Sequence, residues 1–174
     1  GQFTNPAQVA IDGSGNIYFG CGFNAATINV GGGPLASAGT MDILLAKFDP
    51  NGGHLFSKRL GSAGFDYLMS LALDSNGDIL IGGQLAGTVD LGGGSMNPGA
   101  ATTDWGYVAR YSSSGSFIWA QGYFTGGPRV SNLVVDGNGT TYAAGPYFDL
   151  MQTKTASLTN PGKTFRGFLL SIDR

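Results

Sequence analysis

The dominant feature of this sequence is a short pattern that occurs three times at a constant spacing. An apolar run leads into Asp-x-x-Gly, and a second apolar run follows at once. The pattern occupies residues 9–19, 71–81 and 133–143. Its aspartates are Asp12, Asp74 and Asp136, so the step is 62 residues each time. A constant step of this length indicates tandem structural units of one kind.

A second motif, an apolar run that leads into a turn, keeps nearly the same step. It occupies residues 44–49, 107–112 and 168–173. Two motifs in one register establish an internal repeat. We therefore treat residues 1–174 as one segment and divide it into repeats at about 7–61, 69–122 and 131–174.

The composition favours strands and turns over helices. The chain contains 31 glycines, and all 11 of its acidic residues are aspartate. Glutamate, which is absent, favours helices, whereas aspartate and glycine favour turns. No stretch shows a sustained 3.6-residue period with helix caps. The sequence therefore predicts an all-β protein with little or no helix.

Each complete repeat predicts four short antiparallel strands. The aspartate of Asp-x-x-Gly accepts a backbone N–H two residues ahead, and the glycine supplies a left-handed conformation, so the motif closes a hairpin. The predicted turn residues are Asp12 and Gly15, Asp74 and Gly77, Asp136 and Gly139, and, in a second turn, Asp49 and Gly52. Between the second and third strands we predict an extra strand followed by a long loop, at 34–40 and 95–103.

A four-stranded sheet of this size cannot bury both of its faces alone. Radial stacking of such sheets in a β-propeller solves that problem. A parallel β-helix is the alternative, but its coils are much shorter than these repeats. The sequence therefore predicts about three four-stranded propeller blades, as part of a larger or oligomer-completed propeller.

The motifs resemble the bacterial β-propeller repeat called SBBP. In the first repeat, residues 12–18, 45–52 and 55–61 follow that family's pattern of Asp-x-x-Gly-Asn-Ile/Val-Tyr, Phe-Val-Ala-Lys-Tyr-Asp-x-x-Gly and Trp-x-Lys-x-Phe-Gly. Later copies differ, with Thr140-Thr141 for Asn-Ile and Ser171 for the basic residue. The resemblance implies a secreted or cell-surface bacterial protein, usually with more than three repeats, and no family set of catalytic residues.

The strand pattern also leads us to expect that the sheets continue beyond this segment. The first repeat has no fourth strand ahead of it, and the third stops inside the turn that leads to its own fourth strand. Natural propellers have roughly four to eight blades. We expect further blades in a longer chain, or completion of the ring by other copies, because open blade faces would expose a large apolar patch.

Several kinds of site are not indicated. The nine basic residues are scattered and the net charge is −2, which does not favour nucleic acid, and no apolar run is long enough to span a bilayer. The single Cys21 excludes an internal disulfide and fits a small buried side chain. Asp74–Asp78 fits a turn better than a calcium loop, which requires a terminal glutamate. We expect no metal and no cofactor.

Catalytic residues are not indicated either. His54 is the only histidine, and we expect it at a solvated strand edge. No nucleophile elbow accompanies it. A glycosidase would require two carboxyls that converge on a sugar, and the candidates for such a pair are Asp42, Asp66, Asp90 and Asp104. The sequence does not show convergence, so we expect no enzyme.

The aromatic residues offer the remaining candidate site. Trp119 takes the place of Phe56 in its repeat and is expected between sheets. Trp105 follows Asp104 near the end of a long loop and is the better candidate for an exposed ring, while Tyr147 lies near a strand end. Exposed rings with polar neighbours stack on sugars. The sequence therefore predicts a ligand site that comprises Trp105, Asp104 and Tyr147.

Taken together, the sequence favours a non-enzymatic, extracellular or cell-surface scaffold. Low charge and many neutral polar residues suit a surface that packs against copies of itself or against polysaccharide. The alternative is a carbohydrate-binding module that uses loop aromatics, with a hydrolase third.

Overall fold

The computed structural model describes residues 3–99, 104–124, 126–148, 150–153, 157–162 and 164–172. Within these ranges every regular element is a β-strand. The prediction of an all-β protein is therefore confirmed.

Long strands of the main sheets alternate with short strands of insertions. In chain order they are β1 Phe3–Ile11, β2 Ile17–Phe23, β3 Thr27–Asn29, β4 Pro34–Ala36, β5 Asp42–Phe48, β6 His54–Leu60, β7 Tyr67–Leu73, β8 Ile79–Ala86, β9 Val89–Asp90, β10 Ser95–Met96, β11 Asp104–Tyr111, β12 Phe117–Tyr123, β13 Asn132–Val135, β14 Thr141–Phe148, β15 Leu150–Gln152, β16 Ser157–Thr159 and β17 Phe165–Ile172.

The long strands form three antiparallel sheets. Sheet 1 has the order β1-β2-β5-β6, sheet 2 consists of β7-β8-β11-β12, and sheet 3 consists of β13-β14-β17. All neighbouring strands in these sheets run antiparallel. The predicted order of four antiparallel strands is thus confirmed in the first two repeats, and the described residues of the third form its first three strands.

The predicted turns have the expected geometry. Each aspartate accepts the backbone N–H of the second residue after it at 2.8 to 2.9 Å, at Asp12, Asp49, Asp74 and Asp136. The paired glycines have φ between 78° and 86°, at Gly15, Gly52, Gly77 and Gly139. A side-chain acceptor and a left-handed glycine therefore fix each hairpin, as the sequence predicted.

The variable segments form two-stranded hairpins, β3-β4, β9-β10 and β15-β16. In the first two, Asn29 or Asp90 accepts N–H bonds from two glycines of the following triplet, at 2.7 to 3.2 Å. The loop prediction was therefore wrong at Pro34–Ala36 and Ser95–Met96, because the glycine triplet turns the chain back at once. Residues 100–103 of the second predicted loop lie outside the described residues.

Sheet 2 lies between the other two sheets, and its strand β7 contacts both β1 and β13. We call the face that carries Val9 in sheet 1, Leu71 in sheet 2 and Leu133 in sheet 3 the leading face, and the opposite face the trailing face. These three residues occupy the same register, opposite Phe19, Ile81 and Ala143 respectively.

Trailing faces pack on leading faces at both junctions. Tyr18 and Leu45 of sheet 1 share a buried core with Ile81 and Tyr107 of sheet 2. A second buried core joins the trailing face of sheet 2 to the leading face of sheet 3 and contains Leu80, Val108, Ala143 and Phe168. The hydrophobic core of the molecule therefore consists mainly of these two junctions.

A glycine in the second strand of sheets 1 and 2 allows the next sheet to approach. A Cβ on Gly20 would lie 2.8 Å from Leu68 and 3.3 Å from Leu71. A Cβ on Gly82 would lie 2.6 Å from Val130 and 3.0 Å from Leu133. Both junctions thus place an aliphatic side chain of the next sheet directly against a glycine.

Candidate functional site

Trp105 does not offer an exposed ring. It is fully buried in the junction between sheets 1 and 2, its Nε1 donates to the Gly87 carbonyl at 2.8 Å, and its ring packs on Phe124 at 5.3 Å between centroids. The prediction of an exposed ring was wrong because Trp105 belongs to strand β11 and its ring packs into a buried core, where the sequence suggested a loop.

The other residues of the predicted ligand site are separated from Trp105 by sheet 2 or by their orientation. Tyr147 is only 6% exposed and belongs to the core between sheets 2 and 3, so its predicted accessibility was also wrong. Asp104 is exposed at the start of β11. The three residues therefore do not form one binding surface.

Neither Cys21 nor His54 has the accessible side chain that a reactive thiol or a catalytic histidine requires. Cys21 is fully buried, and burial raises the pKa of its thiol to about 11, which confirms the predicted small buried side chain. His54 is half-buried beneath Gly31 and Gly32, and its Nε2 lies 3.0 Å from Ser57 Oγ. His54 begins the edge strand β6, as predicted, but the glycine hairpin partly covers its ring, so the side chain is less solvated than expected.

Basic residues of the third strand hold the acidic turns. The Arg110 guanidinium forms ion pairs with Asp74 and, at 2.9 Å, with Asp78. In sheet 1, the Lys47 ammonium lies 3.9 Å from Asp12. The carboxylates of the turn that resembles a calcium loop are thus occupied by a guanidinium, which supports the turn interpretation.

Hydrogen bonds stabilise the charged form of Asp12. The Asn16 side chain donates to Oδ2 at 2.9 Å, and the backbone amides of Ser14 and Asn16 donate to Oδ1. Mainly because of the Asn16 side chain, the pKa of Asp12 falls from its ordinary value to about 2. The first turn is therefore built around an ionised carboxylate.

Asp42 and Asp66 converge, although they are far apart in sequence. A Cβ on Gly61 would lie 2.5 Å from Asp42 Oδ1 and 2.8 Å from Asp66 Oδ2. Both side chains are fully buried, and Arg59 lies 3.6 Å from Asp42. A glycosidase pair must reach a sugar, so the burial of both carboxyls argues against that chemistry here.

The two carboxyls instead anchor the loops at the junction between sheets 1 and 2. Asp42 Oδ2 accepts from Ser37 Oγ at 2.6 Å, and Asp66 accepts from the amides of Ser62 and Ala86 at 2.5 and 3.0 Å. Burial raises the pKa of Asp66 above its ordinary value, and the nearby charge of Asp42 adds to the effect, against the hydrogen bonds that lower it. A polar anchor of this kind has a structural role.

A half-open cleft of about 350 Å³ lies beside the β9-β10 hairpin. Apolar side chains of Leu91, Met96, Phe117 and Phe124 line it, with Gln121 among the polar groups. A second groove of about 340 Å³ continues past Phe117, with Lys58, Arg59 and Asp90 at its walls.

The outer sheet faces are the most unusual surfaces. Leu45, Val108 and Leu169 occupy equivalent positions on the three trailing faces, and their exposed fractions are 0%, 0% and 72%. Phe165 and Val134 are exposed on the same face of sheet 3. The trailing face of sheet 3 is therefore apolar in character and uncovered in this structure.

The leading face of sheet 1 shows the same contrast between exposed and buried equivalents at its edge strand β1. Val9 and Ile11 are 60% and 64% exposed, whereas Leu133, the equivalent of Val9 in sheet 3, is 6% exposed. The β3-β4 hairpin covers the rest of that face, where Cys21 and Leu44 are buried. The sequence predicted open blade faces in general. Alignment of the repeats also indicates Leu169, because the third repeat retains an apolar residue at a position that is buried in the other two.

No group of three or more His, Cys, Asp or Glu side chains that could hold a metal occurs among the described residues. The same residues include no helix that is long and apolar enough to cross a membrane. In comparisons with known proteins, the chain matches no protein-family model, and no curated protein is significantly similar to it.

Proposed function

We propose that this chain is a non-enzymatic β-propeller segment that acts as an interaction scaffold, and that its two outer sheet faces are the binding surfaces. The observation that carries the proposal is the exposure of Leu169, because Leu45 and Val108 are fully buried at the same position of the repeat. This position is covered in two sheets and keeps a leucine in the third, so we expect it to be covered there as well.

The energetics support a covered face. Burying a leucine side chain contributes roughly 1.5–3 kcal/mol. Leu169, Phe165 and Val134 expose large apolar side chains on one face of sheet 3, and an exposed apolar face of this kind marks an interaction site. The most direct consequence of docking another sheet here would be the removal of these three side chains from water.

The propeller arrangement and the extracellular location are parts of the same proposal. Antiparallel sheets that pack face to face with their first strands adjacent suit propeller blades, and β7 contacts both β1 and β13. The SBBP-like motifs at 12–18 and 45–52 support a secreted or cell-surface protein.

Carbene photolabelling of the natural polypeptide in its native state tests this function. If the outer faces are binding surfaces in use, Leu169 and Val9 will be protected relative to the unfolded chain. Ile118 is the matched control. It is exposed, but it belongs to sheet 2, which already packs on sheets 1 and 3 and needs no further partner. Labelling of Leu169 and Val9 as strong as that of Ile118 would contradict the proposal.

The cleft beside the β9-β10 hairpin favours a second candidate, carbohydrate binding. Its apolar walls include the Phe117 and Phe124 rings, and Gln121 supplies an amide, which together suit the apolar face and hydroxyls of a sugar. Phe124 packs on Trp105, so binding there should change tryptophan fluorescence. Saturable titration with soluble oligosaccharides that Phe124→Leu abolishes, and Ile118→Leu does not, would favour this function; a flat titration would exclude it.

A further inference from the structure

We propose that the two outer faces bind each other, so that a second copy of this chain docks head to tail. The leading face of sheet 1 in one copy would cover the trailing face of sheet 3 in the other. This inference rests on the proposed scaffold function and specifies its partner.

The two internal junctions provide the template. In both, the trailing face of one sheet packs on the leading face of the next, and never on a face of its own kind. The chain leaves one face of each kind uncovered, marked by Leu169 on the trailing side and Val9 on the leading side. The surface that matches each outer face is therefore present on another copy.

The volumes of the facing side chains match at the proposed junction. At each internal junction two aliphatic side chains of the next sheet lie against a glycine of the trailing face, Leu68 and Leu71 on Gly20, and Val130 and Leu133 on Gly82. Of these, Leu71 and Leu133 share the register of Val9. The equivalent residues on the outer faces are Val9 and Ala144.

Relative to the internal pairs, the leading residue is smaller by one methylene and the trailing residue is larger by one methyl group. The two changes compensate, and volume-conserving exchanges of this kind preserve packing. A sheet with leucine at the position of Val9 would meet the Ala144 methyl group, so the outer trailing face favours this chain's own leading face.

The charges at the proposed junction are compatible with burial. Lys47 and Arg110 occupy equivalent positions on the trailing faces at the two internal junctions, and both reach an acidic turn. The equivalent residue in sheet 3 is Ser171, which carries no charge. Val9 and Ile11 on the leading side are apolar, so docking would bury no unpaired charge at these positions.

Head-to-tail contact between different surfaces forms either a closed ring or an open filament. Two copies contribute six sheets, which falls within the roughly four to eight blades of natural propellers. We therefore infer that two copies close one ring through two identical junctions.

Light scattering of the 174-residue chain over a dilution series tests the inference. The expected solution mass is twice 17.9 kDa at high concentration. Val9→Asp alone and Leu169→Asp alone should each raise the dissociation constant roughly 100-fold or more, because each places a charge in both junctions of the ring. Ile118→Asp, on the middle sheet, should leave the mass unchanged.

Mixing the two variants distinguishes head-to-tail docking from other dimers. Val9→Asp mixed with Leu169→Asp retains one junction with two native faces, so the mixture should regain a dimer that neither variant forms alone. If only one variant dissociates the dimer, the contact joins like faces, and the inference is wrong. Unchanged circular dichroism of each variant, together with the milder Leu169→Ala, controls for misfolding.

The failure of this inference is distinguishable from failure of the scaffold function. A mass of 17.9 kDa at every concentration overturns the second copy as partner. If Leu169 is nevertheless protected in the natural polypeptide, another sheet or protein covers it and the scaffold function stands. A monomer with freely labelled outer faces contradicts both.

Discussion

The inner junctions and the outer faces present the same repeat positions in opposite environments. Leu45 and Val108 are buried by the following sheet, whereas Leu169 faces solvent at the same register. The residue type barely changes among the three positions. The comparison shows that burial in this fold is decided by which sheet follows, and that the third repeat retains the chemistry of a covered face.

A second contrast concerns how the acidic turns are held. In sheets 1 and 2 a basic residue of the third strand reaches the turn aspartate, through Lys47 and Arg110. Sheet 3 has Ser171 at this position, and the Asp136 turn is closed by hydrogen bonds from Asn138 and Thr140. The cation is therefore an addition to a turn that the aspartate carboxylate and the left-handed glycine already close.

The largest expected loss of stability tests the contrast between buried and outer positions. Leu45→Ala should destabilise the fold by about 2–5 kcal/mol, because it removes buried methyl groups and leaves a cavity in the junction. Leu169→Ala, studied where the chain is monomeric, should cost about 0.5 kcal/mol or less. Urea unfolding of both variants provides the comparison, and equal losses would mean that sheets 1 and 2 do not pack as described.

The next largest loss of stability tests the contrast between turns with and without a basic partner. Arg110→Ala should cost about 3 kcal/mol, because Asp74 and Asp78 lose the partner that neutralises them in a largely buried site. Ser171→Ala, at the equivalent position, should change stability by about 0.5 kcal/mol or less. Thermal unfolding of the pair measures the difference; a loss in Ser171→Ala as large as in Arg110→Ala would show that the cation contributes nothing specific.

A smaller effect isolates backbone conformation within one turn. A Cβ would meet nothing within 4 Å at either Gly137 or Gly139, but only Gly139 has a left-handed φ, of 86°. Gly139→Val should therefore cost about 1–3 kcal/mol, whereas Gly137→Val should cost much less. Denaturant midpoints of the two variants decide the matter, and unchanged stability in Gly139→Val would contradict the assigned turn.

The smallest effect compares two carboxyls whose pKa values shift in opposite directions. Asp12 has its pKa lowered to about 2, so its contribution is present above the ordinary value near 3.8 and is lost as the pH falls toward 2. Asp66 has a raised pKa, so its contribution is present below the ordinary value and is lost as the pH rises through the folded value.

The unfolding free energies of Asp12→Asn and Asp66→Asn, each measured against the native chain from pH 2 to neutral, test these signs. The advantage of the native chain over Asp12→Asn should shrink on acidification. Its advantage over Asp66→Asn should shrink as the pH rises. The same slope for both variants would contradict the opposite shifts.

Local features of the fold could be predicted from the sequence because their causes are local. The turn from Asp12 to Gly15 forms because the Asp12 carboxylate accepts the Ser14 amide and Gly15 adopts a left-handed φ, so four residues suffice to identify it. The periodic apolar runs likewise located the main strands. Burial of Cys21 followed from its place inside such a run.

The predicted ligand site failed where sheet packing, rather than local sequence, sets the environment. Trp105 lies near the start of β11, and its ring is buried in a core that segments distant in the sequence form together. Asp42 and Asp66 meet across Gly61 through contacts between segments that no motif connects. The match of Val9 to Ala144 required the register of each strand, which the structure supplied.

The trailing faces of sheets 1 and 2 are buried in junctions, whereas the trailing face of sheet 3 is an outer surface, and this contrast is the central claim. Maleimide labelling of Leu45→Cys, Val108→Cys and Leu169→Cys, each in a Cys21→Ala background, tests it most directly at low protein concentration. We expect slow labelling at positions 45 and 108 and fast labelling at position 169, with protection of position 169 as the concentration rises. Equal, fast labelling at all three positions would contradict the stacking of the sheets.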